Sequence, residues 1–255
     1  MMRRLFLAII SIAPWLPCAA QLQQYYWFHG TAIVEYWTKD SIWIAADSKV
    51  INDNDYDTPK LACKIRNVGN VYYTLSGNVE LKDKANNKTV FDANVDVRRT
   101  LNKISSLDDF ANQFSKIIIP HLKLGQNGPQ SNPNALVQPE LQIVVNEIMP
   151  SGAPRVITMN FVTMGNSTDI KVDSFDTKRH QMGLHYVATG FSDEIDDFLD
   201  KNESYFSTPG TMKDKLTKLI NIAYTAHKKD VGLPINIIVI FKNGHKWLSP
   251  AGICH

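Results

Sequence analysis

A Gly30-Thr31 pair opens a β-branched stretch, and three more residues able to do chemistry follow it in order. They are Asp47 in Ala45-Ala46-Asp47-Ser48-Lys49, Lys64 in Cys63-Lys64-Ile65, and Gly77 in Thr74-Leu75-Ser76-Gly77. A threonine hydroxyl is a weak nucleophile and needs an adjacent base, a role that a free α-amine on the same residue can fill. The reference pKa of that amine is about 7.7–8.0, so a useful fraction is neutral near physiological pH. A glycine before the threonine permits the strained backbone that lets its hydroxyl reach the preceding carbonyl. Taken singly, each residue has an ordinary reading: a turn before a strand, a strand-end Asp in a local turn bond, a solvated Lys, a turn Gly. Other catalytic patterns are missing. There is no Gly-x-Ser-x-Gly elbow, no His-Glu-x-x-His helix and no phosphate-cradling glycine loop, so neither metal nor cofactor is expected. His180 and His185 are off the i,i+4 helical spacing and read as surface histidines. Cys63 beside Lys64 reads as a low-pKa thiol or as a buried or disulfide-bonded cysteine.

With all of these residues in order, the sequence resembles the catalytic β subunits of the proteasome, made with a propeptide that ends in Gly before a catalytic Thr. The Thr31-to-Asp47 interval is the family's, although the Lys64-to-Gly77 segment is one residue shorter and the loop before Lys64 one longer. The resemblance implies self-cleavage between Gly30 and Thr31, which frees the Thr31 amine. It makes Lys64 the ammonium that lowers that amine's pKa and Asp47 the carboxylate that holds Lys64. The Gly77 N–H becomes the oxyanion donor. Toward the C-terminus the match loosens. Ala188-Thr189-Gly190-Phe191-Ser192 stands where the family has Gly-Ser-Gly, so Ser192 is a substitute or simply a helix cap. Lys229-Asp230-Val231-Gly232-Leu233 stands where the family has Asp-x-x-Ser-Gly, so Asp230 carries over and the serine does not. The implied fold is α+β, a four-layer αββα sandwich with two antiparallel sheets between helical layers. The implied activity is amide hydrolysis on peptides or unfolded chains, with a ring-forming homo-oligomer as the family's habit. Two other readings stay open: an amidase acting on a non-peptide amide, and a secreted binding or assembly protein that has lost activity.

The elements that must position these residues follow from periodicity. Alternation over Thr31–Tyr36 and Ser41–Asp47 predicts a hairpin, and Ile51–Pro59 reads as a polar loop. Short strands are expected near Cys63–Arg66 and Val71–Leu75. Leu107, Phe110, Phe114, Ile117 and Ile118 share one helical face. Gln126–Pro139 reads as a loop, Leu141–Met149 and Arg155–Val162 as a hairpin, and Leu184–Thr189 as a strand. Helices are expected over Ser192–Asn202 and Thr211–Lys229, the second burying Leu216, Leu219, Ile220 and Ala223. Ile235–Phe241 and a short strand through Trp247 end the chain. Runs of strands and runs of helices point to α+β layers in one domain.

The first twenty residues stand apart. Arg3-Arg4 precedes an apolar run from Leu5 to Leu16, too short to span a bilayer, and Cys18-Ala19-Ala20 offers a signal-peptidase site before Gln21. A retained anchor is the alternative; Pro17 argues against a lipoprotein at Cys18. The division is thus 1–20 signal, 21–30 propeptide, 31–255 hydrolase domain, with a secreted or periplasmic product that leaves the membrane. A formal charge of +2 and no basic stripe argue against nucleic acid as a partner. Without Cys18, the cysteines left are Cys63 and Cys254, an even number in a disulfide-permissive compartment.

Overall fold

The structure, a computed structural model, describes residues 25–29, 31–52, 55–125, 139–163, 169–179, 185–249 and 254. The expected signal, Gly30 and most of the loop at 126–139 lie outside these residues. In chain order the strands begin with β1 (Tyr25–His29), β2 (Ala32–Trp37), β3 (Ser41–Ala46), β4 (Lys49–Asn52) and β5 (Asp55–Leu61). Next come β6 (Ile65–Val68), β7 (Val71–Gly77), β8 (Glu80–Asp83) and β9 (Thr89–Asp92), then helices α1 (Ala93–Lys103) and α2 (Phe110–Gly125). A central group follows: β10 (Pro139–Ile148), β11 (Pro154–Thr163), β12 (Ile170–Asp176) and β13 (Tyr186–Gly190). Helices α3 (Asp193–Asp200) and α4 (Met212–Ala226) precede β14 (Asn236–Phe241) and β15 (Gly244–Trp247). The protein is a mixed α+β fold of open antiparallel sheets and, among the described residues, four α-helices.

Strand alternation decides which face each residue buries. One sheet runs β13-β2-β3-β14-β15. Its Ala32, Val34, Ala45 and Ile237 pack against Leu216, Leu219, Ile220 and Ala223 of α4 and Ile195 of α3. The alternate residues Ile33, Ile42, Ile44 and Ile238 turn the other way and meet Ile65, Tyr72, Val144 and Val156. Those partners belong to a second sheet, β12-β11-β10-β7-β6. Its remaining face, with Tyr73, Leu75, Ile143 and Phe161, covers Phe110, Phe114 and Ile118 of α2 and Ala93 and Val97 of α1. Each fully buried Ile or Phe in these clusters contributes about 1.5–3 kcal/mol. Truncating Phe114, which lies at the centre of stacked and edge-on contacts with Phe110 and Phe161, costs about 3–5 kcal/mol.

One expectation is corrected. Ile51–Pro59 is not a loop: β4 and β5 occupy it and pair with each other, Lys49 opposite Leu61 and Val50 opposite Lys60. The Tyr25–His29 run, which has no period, is β1. Besides the two sheets that face each other, the described residues form a third five-stranded sheet, running β5-β4-β1-β8-β9. In it β1 pairs antiparallel on both sides, Phe28 and His29 with Asn52 and Ile51, and Tyr25 through Phe28 with Asp83 through Glu80. Cross-strand ladder bonds override a weak local pattern. The stretch ahead of Thr31 is therefore the middle strand of a sheet.

Cys63 and Cys254 form a disulfide with Cα atoms 4.9 Å apart, closing a loop across 191 positions. A loop of that length corresponds to about 5 kcal/mol of denatured-state entropy in the chain-entropy account. The bond ties the chain end to the residue before Lys64.

Candidate active site

Thr31 precedes β2, and counting by twos from Ile33 turns its side chain toward the face between the sheets. It is 5% exposed. The β2–β3 register, Ile33 opposite Ala46, carries Asp47 to the level of Ala32 just past the end of β3. The Asp47 N–H donates to the Ala32 carbonyl (3.1 Å), and the short Asp47 side chain folds back so that Oδ1 accepts the Ala32 N–H (2.9 Å). The same Oδ1 receives Lys64 Nζ at 2.8 Å. Oδ2 accepts the N–H groups of Lys49 and Gly232, both at 3.0 Å. A fully buried carboxylate thus has four donors, and one of them belongs to the peptide that follows Thr31.

Lys64 stands just before β6 and is 8% exposed. Burial pushes its ammonium below the ordinary lysine range and nearby Lys49 adds to this, while Asp47 works in the opposite direction. A buried pair of this kind is a poor source of net stability, but breaking it is expensive because one charge is left alone.

Gly77 ends β7 with φ +83°, and a Cβ there would lie 2.7 Å from the Glu140 carbonyl oxygen. The Asn78 N–H donates to that same oxygen at 2.7 Å. Antiparallel ladders alternate bonded and non-bonded pairs, so Gly77 opposite Leu141 is a non-bonded pair and its N–H turns away from β10. On that far side, β6 begins its pairing only at Ile65 opposite Thr74. The Gly77 N–H thus lies on the β6 side of β7, beyond the point where that pairing begins.

The end of β13 closes on Thr31 from another direction. The Phe191 N–H donates to the Thr31 carbonyl at 2.8 Å. Gly190, at φ +80°, comes so near that a Cβ would sit 2.0 Å from that carbonyl oxygen. Its N–H donates to Gln142 Oε1 (2.8 Å), which also accepts from Ser76 Oγ (3.1 Å). Gly190 and Phe191 lie in the segment that stands where the family has Gly-Ser-Gly, although only Ser192 is a sequence candidate there; Gln142 has no sequence signal.

Of the residues singled out, Asp47 and Lys64 are bonded to each other, and Asp47 also to the peptide beside Thr31. Ser192 follows Phe191 and precedes α3, and its hydroxyl faces the Asp196 carboxylate. Burial, reinforced by Asp193, Asp200 and Asp197, pushes Asp196 up to about 6 although Ser192 acts to lower it. Asp230 is half-buried in the turn after α4, where its N–H donates to the His227 carbonyl (2.9 Å). It lines an open cleft of about 320 Å³ with Thr225 through Lys229. Two residues past Asp230, the Gly232 N–H donates to Asp47 Oδ2. Gly30 lies outside the described residues. No His, Cys, Asp and Glu grouping suited to a metal ion occurs among the described residues. No protein-family model matches the chain, and neither does any curated protein sequence.

Proposed function

We propose that the protein is an exported, self-processing N-terminal threonine hydrolase built as a four-layer αββα sandwich of the proteasome-subunit type. One observation carries the reading: the buried Lys64–Asp47 pair is hydrogen-bonded to the Ala32 peptide, directly beside Thr31. The fold supports it, with α1 and α2 against one sheet, α3 and α4 against another, and an apolar seam between the two. The Cys63–Cys254 bond supports export, because disulfides persist in oxidising compartments.

In the first reaction Thr31 Oγ attacks the Gly30 carbonyl carbon, the Gly30–Thr31 C–N bond breaks, and an ester forms on Oγ. Water cleaves the ester, leaving a Gly30 carboxylate and a free Thr31 amine. In the second, that amine takes the hydroxyl proton as Oγ attacks a substrate amide and gives it to the departing amine as the C–N bond breaks; water then hydrolyses the ester left on Oγ and frees Thr31. The Gly77 N–H faces the oxyanion in both steps. Lys64 favours the neutral form of the Thr31 amine through like-charge repulsion, and Asp47 keeps Lys64 in place. All of these groups belong to the chain. Substrates are peptides or unfolded chains in extended form, and a ring of identical subunits is the assembly to look for.

The test is acylation. A β-lactone opens on an activated hydroxyl, so incubation with the purified protein should add one lactone mass, mapped by peptide mass spectrometry to Thr31. Labelling scattered over surface lysines, with Thr31 unmodified, overturns the proposal.

A second reading is a silent binding or assembly protein. It is favoured by the serines missing near Thr31 and by β1, which is a well-paired middle strand in the uncut chain. The same experiment, with Thr31 unlabelled, supports it.

A further inference from the structure

The reaction needs the Thr31 hydroxyl and the Gly77 N–H at a fixed separation, yet they sit on different sheets. Thr31 leads into β2 of one sheet, and Gly77 ends β7 of the other. The Asp47–Lys64 pair joins the two sheets past β3 and ahead of β6, and Glu35 on β2 joins them at Thr74 and Asn146. A third cross-sheet link lies beside Gly77. Gln142 lies on β10 opposite Ser76, one register step from Gly77 opposite Leu141. Its Oε1 accepts the Ser76 hydroxyl on its own sheet and the Gly190 N–H of the other sheet. Gly190 in turn presses on the Thr31 carbonyl, and the Phe191 N–H clasps it. The far end of the amide is oriented by Gln142 Nε2 donating to Asn160 Oδ1 at 3.2 Å.

We infer that Gln142 is a positioning residue that sets the distance from the Thr31 nucleophile to the Gly77 oxyanion donor by bridging Ser76 and Gly190. The inference rests on the threonine-hydrolase reading. A single amide oxygen with two donors from two sheets fixes both sheet ends at once. Removing it frees β13 to slide, and with it the carbonyl of Thr31. A misplacement near 1 Å is worth about 100-fold in rate.

The experiment compares wild-type protein with Gln142→Leu and Gln142→Glu, all expressed as full chains. Gln142→Leu keeps the volume and removes the acceptor. Gln142→Glu keeps an acceptor oxygen for Ser76 and Gly190, and the Asn160 amide can turn over to donate to it. Three quantities are read: the rate of cutting before Thr31, kcat and KM separately on a peptide substrate, and the exchange rate of the Gly190 amide. Gln142→Leu should slow cutting and lower kcat by roughly 100-fold with KM little changed. Its Gly190 amide should exchange faster, and Gln142→Glu should recover most of the rate. A merely structural role would lower the melting temperature without splitting kcat from KM. Wild type that cuts while Gln142→Leu cuts equally fast, or Gln142→Glu no better than Gln142→Leu, overturns this inference alone. Wild type that never cuts sinks the threonine reading and this inference together.

Discussion

Replacing Gly190 with alanine puts a methyl group where the structure has no room. The added Cβ would lie 2.0 Å from the Thr31 carbonyl oxygen, 2.9 Å from its carbon and 3.3 Å from Ser76 Cβ. Two of these neighbours are backbone atoms, which cannot swing aside as a flexible side chain can. Ordinary non-bonded contact is about 3.5 Å, so relief requires Thr31 or the end of β13 to move by roughly 1 to 1.5 Å. Alanine at φ +80° adds about 1–2 kcal/mol. Losing the Phe191-to-Thr31 hydrogen bond adds about 1 kcal/mol. The expected destabilisation is about 2–3 kcal/mol, which at roughly 2–4 °C per kcal/mol lowers the melting temperature by about 5–10 °C. The same movement should slow cutting before Thr31 by about 100-fold. Gly69→Ala is the control: its φ is +57° but a Cβ there meets nothing within 4 Å, so it should melt slightly lower and cut at the wild-type rate. The assay is thermal melting beside a time course of chain mass after refolding. A Gly190→Ala protein that melts and cuts like Gly69→Ala would refute the close approach of β13 to Thr31.

Glu35 lies between the sheets with no exposure, accepting from Thr74 Oγ1 and Asn146 Nδ2, each at 2.7 Å. Burial raises its carboxyl to about 7 from 4.5, against the lowering effect of those two bonds. A raised acid keeps its proton in the folded state after the unfolded chain has released it, so stability should fall as pH rises from about 4.5 to 7. Burial of this kind makes the loss on the order of 3 kcal/mol. Glu35→Gln should flatten the slope and stabilise the protein at pH 8, because a neutral amide there carries no buried charge. Urea unfolding at pH 5 and pH 8 reads the difference, and parallel curves for the two proteins contradict it. Lys64→Met leaves the Asp47 carboxylate buried without its ammonium, so stability should drop by about 3–5 kcal/mol and cutting should stop. Lys64→Arg should recover stability more than rate; equal recovery of both would make Lys64 only structural.

Much of the frame was legible because it is local. The β2–β3 hairpin and α4, with Leu216, Leu219, Ile220 and Ala223 buried, followed from periods of two and 3.6. Asp47 and Lys64 were legible as a pair because their spacing matched a known pattern. β4 and β5 were not, since an Asn- and Asp-rich stretch becomes strand only through its ladder partners. α1 was missed as well, because its buried face is only Ala93, Val97 and two polar residues, Asp96 and Thr100. The Gln142 bridge joins three strands far apart in sequence through one amide, and no local pattern encodes such a contact. The Cys63–Cys254 bond lay between these cases: the cysteine count allowed it, and the meeting of residue 63 with the chain end had to be seen.

The central claim is that Thr31 frees its own amine, and the chain's N-terminus tests it most directly. Purified wild type and Thr31→Ala should be compared by intact mass and N-terminal sequencing under denaturing conditions. Denaturation matters because β1, held between β4 and β8, would otherwise stay bound after the cut. The account predicts a wild-type chain beginning at Thr31 and a Thr31→Ala chain beginning upstream, at Gln21 once the signal is removed. Both chains beginning at the same upstream residue would contradict it, leaving Thr31 without an amine and the protein without this chemistry.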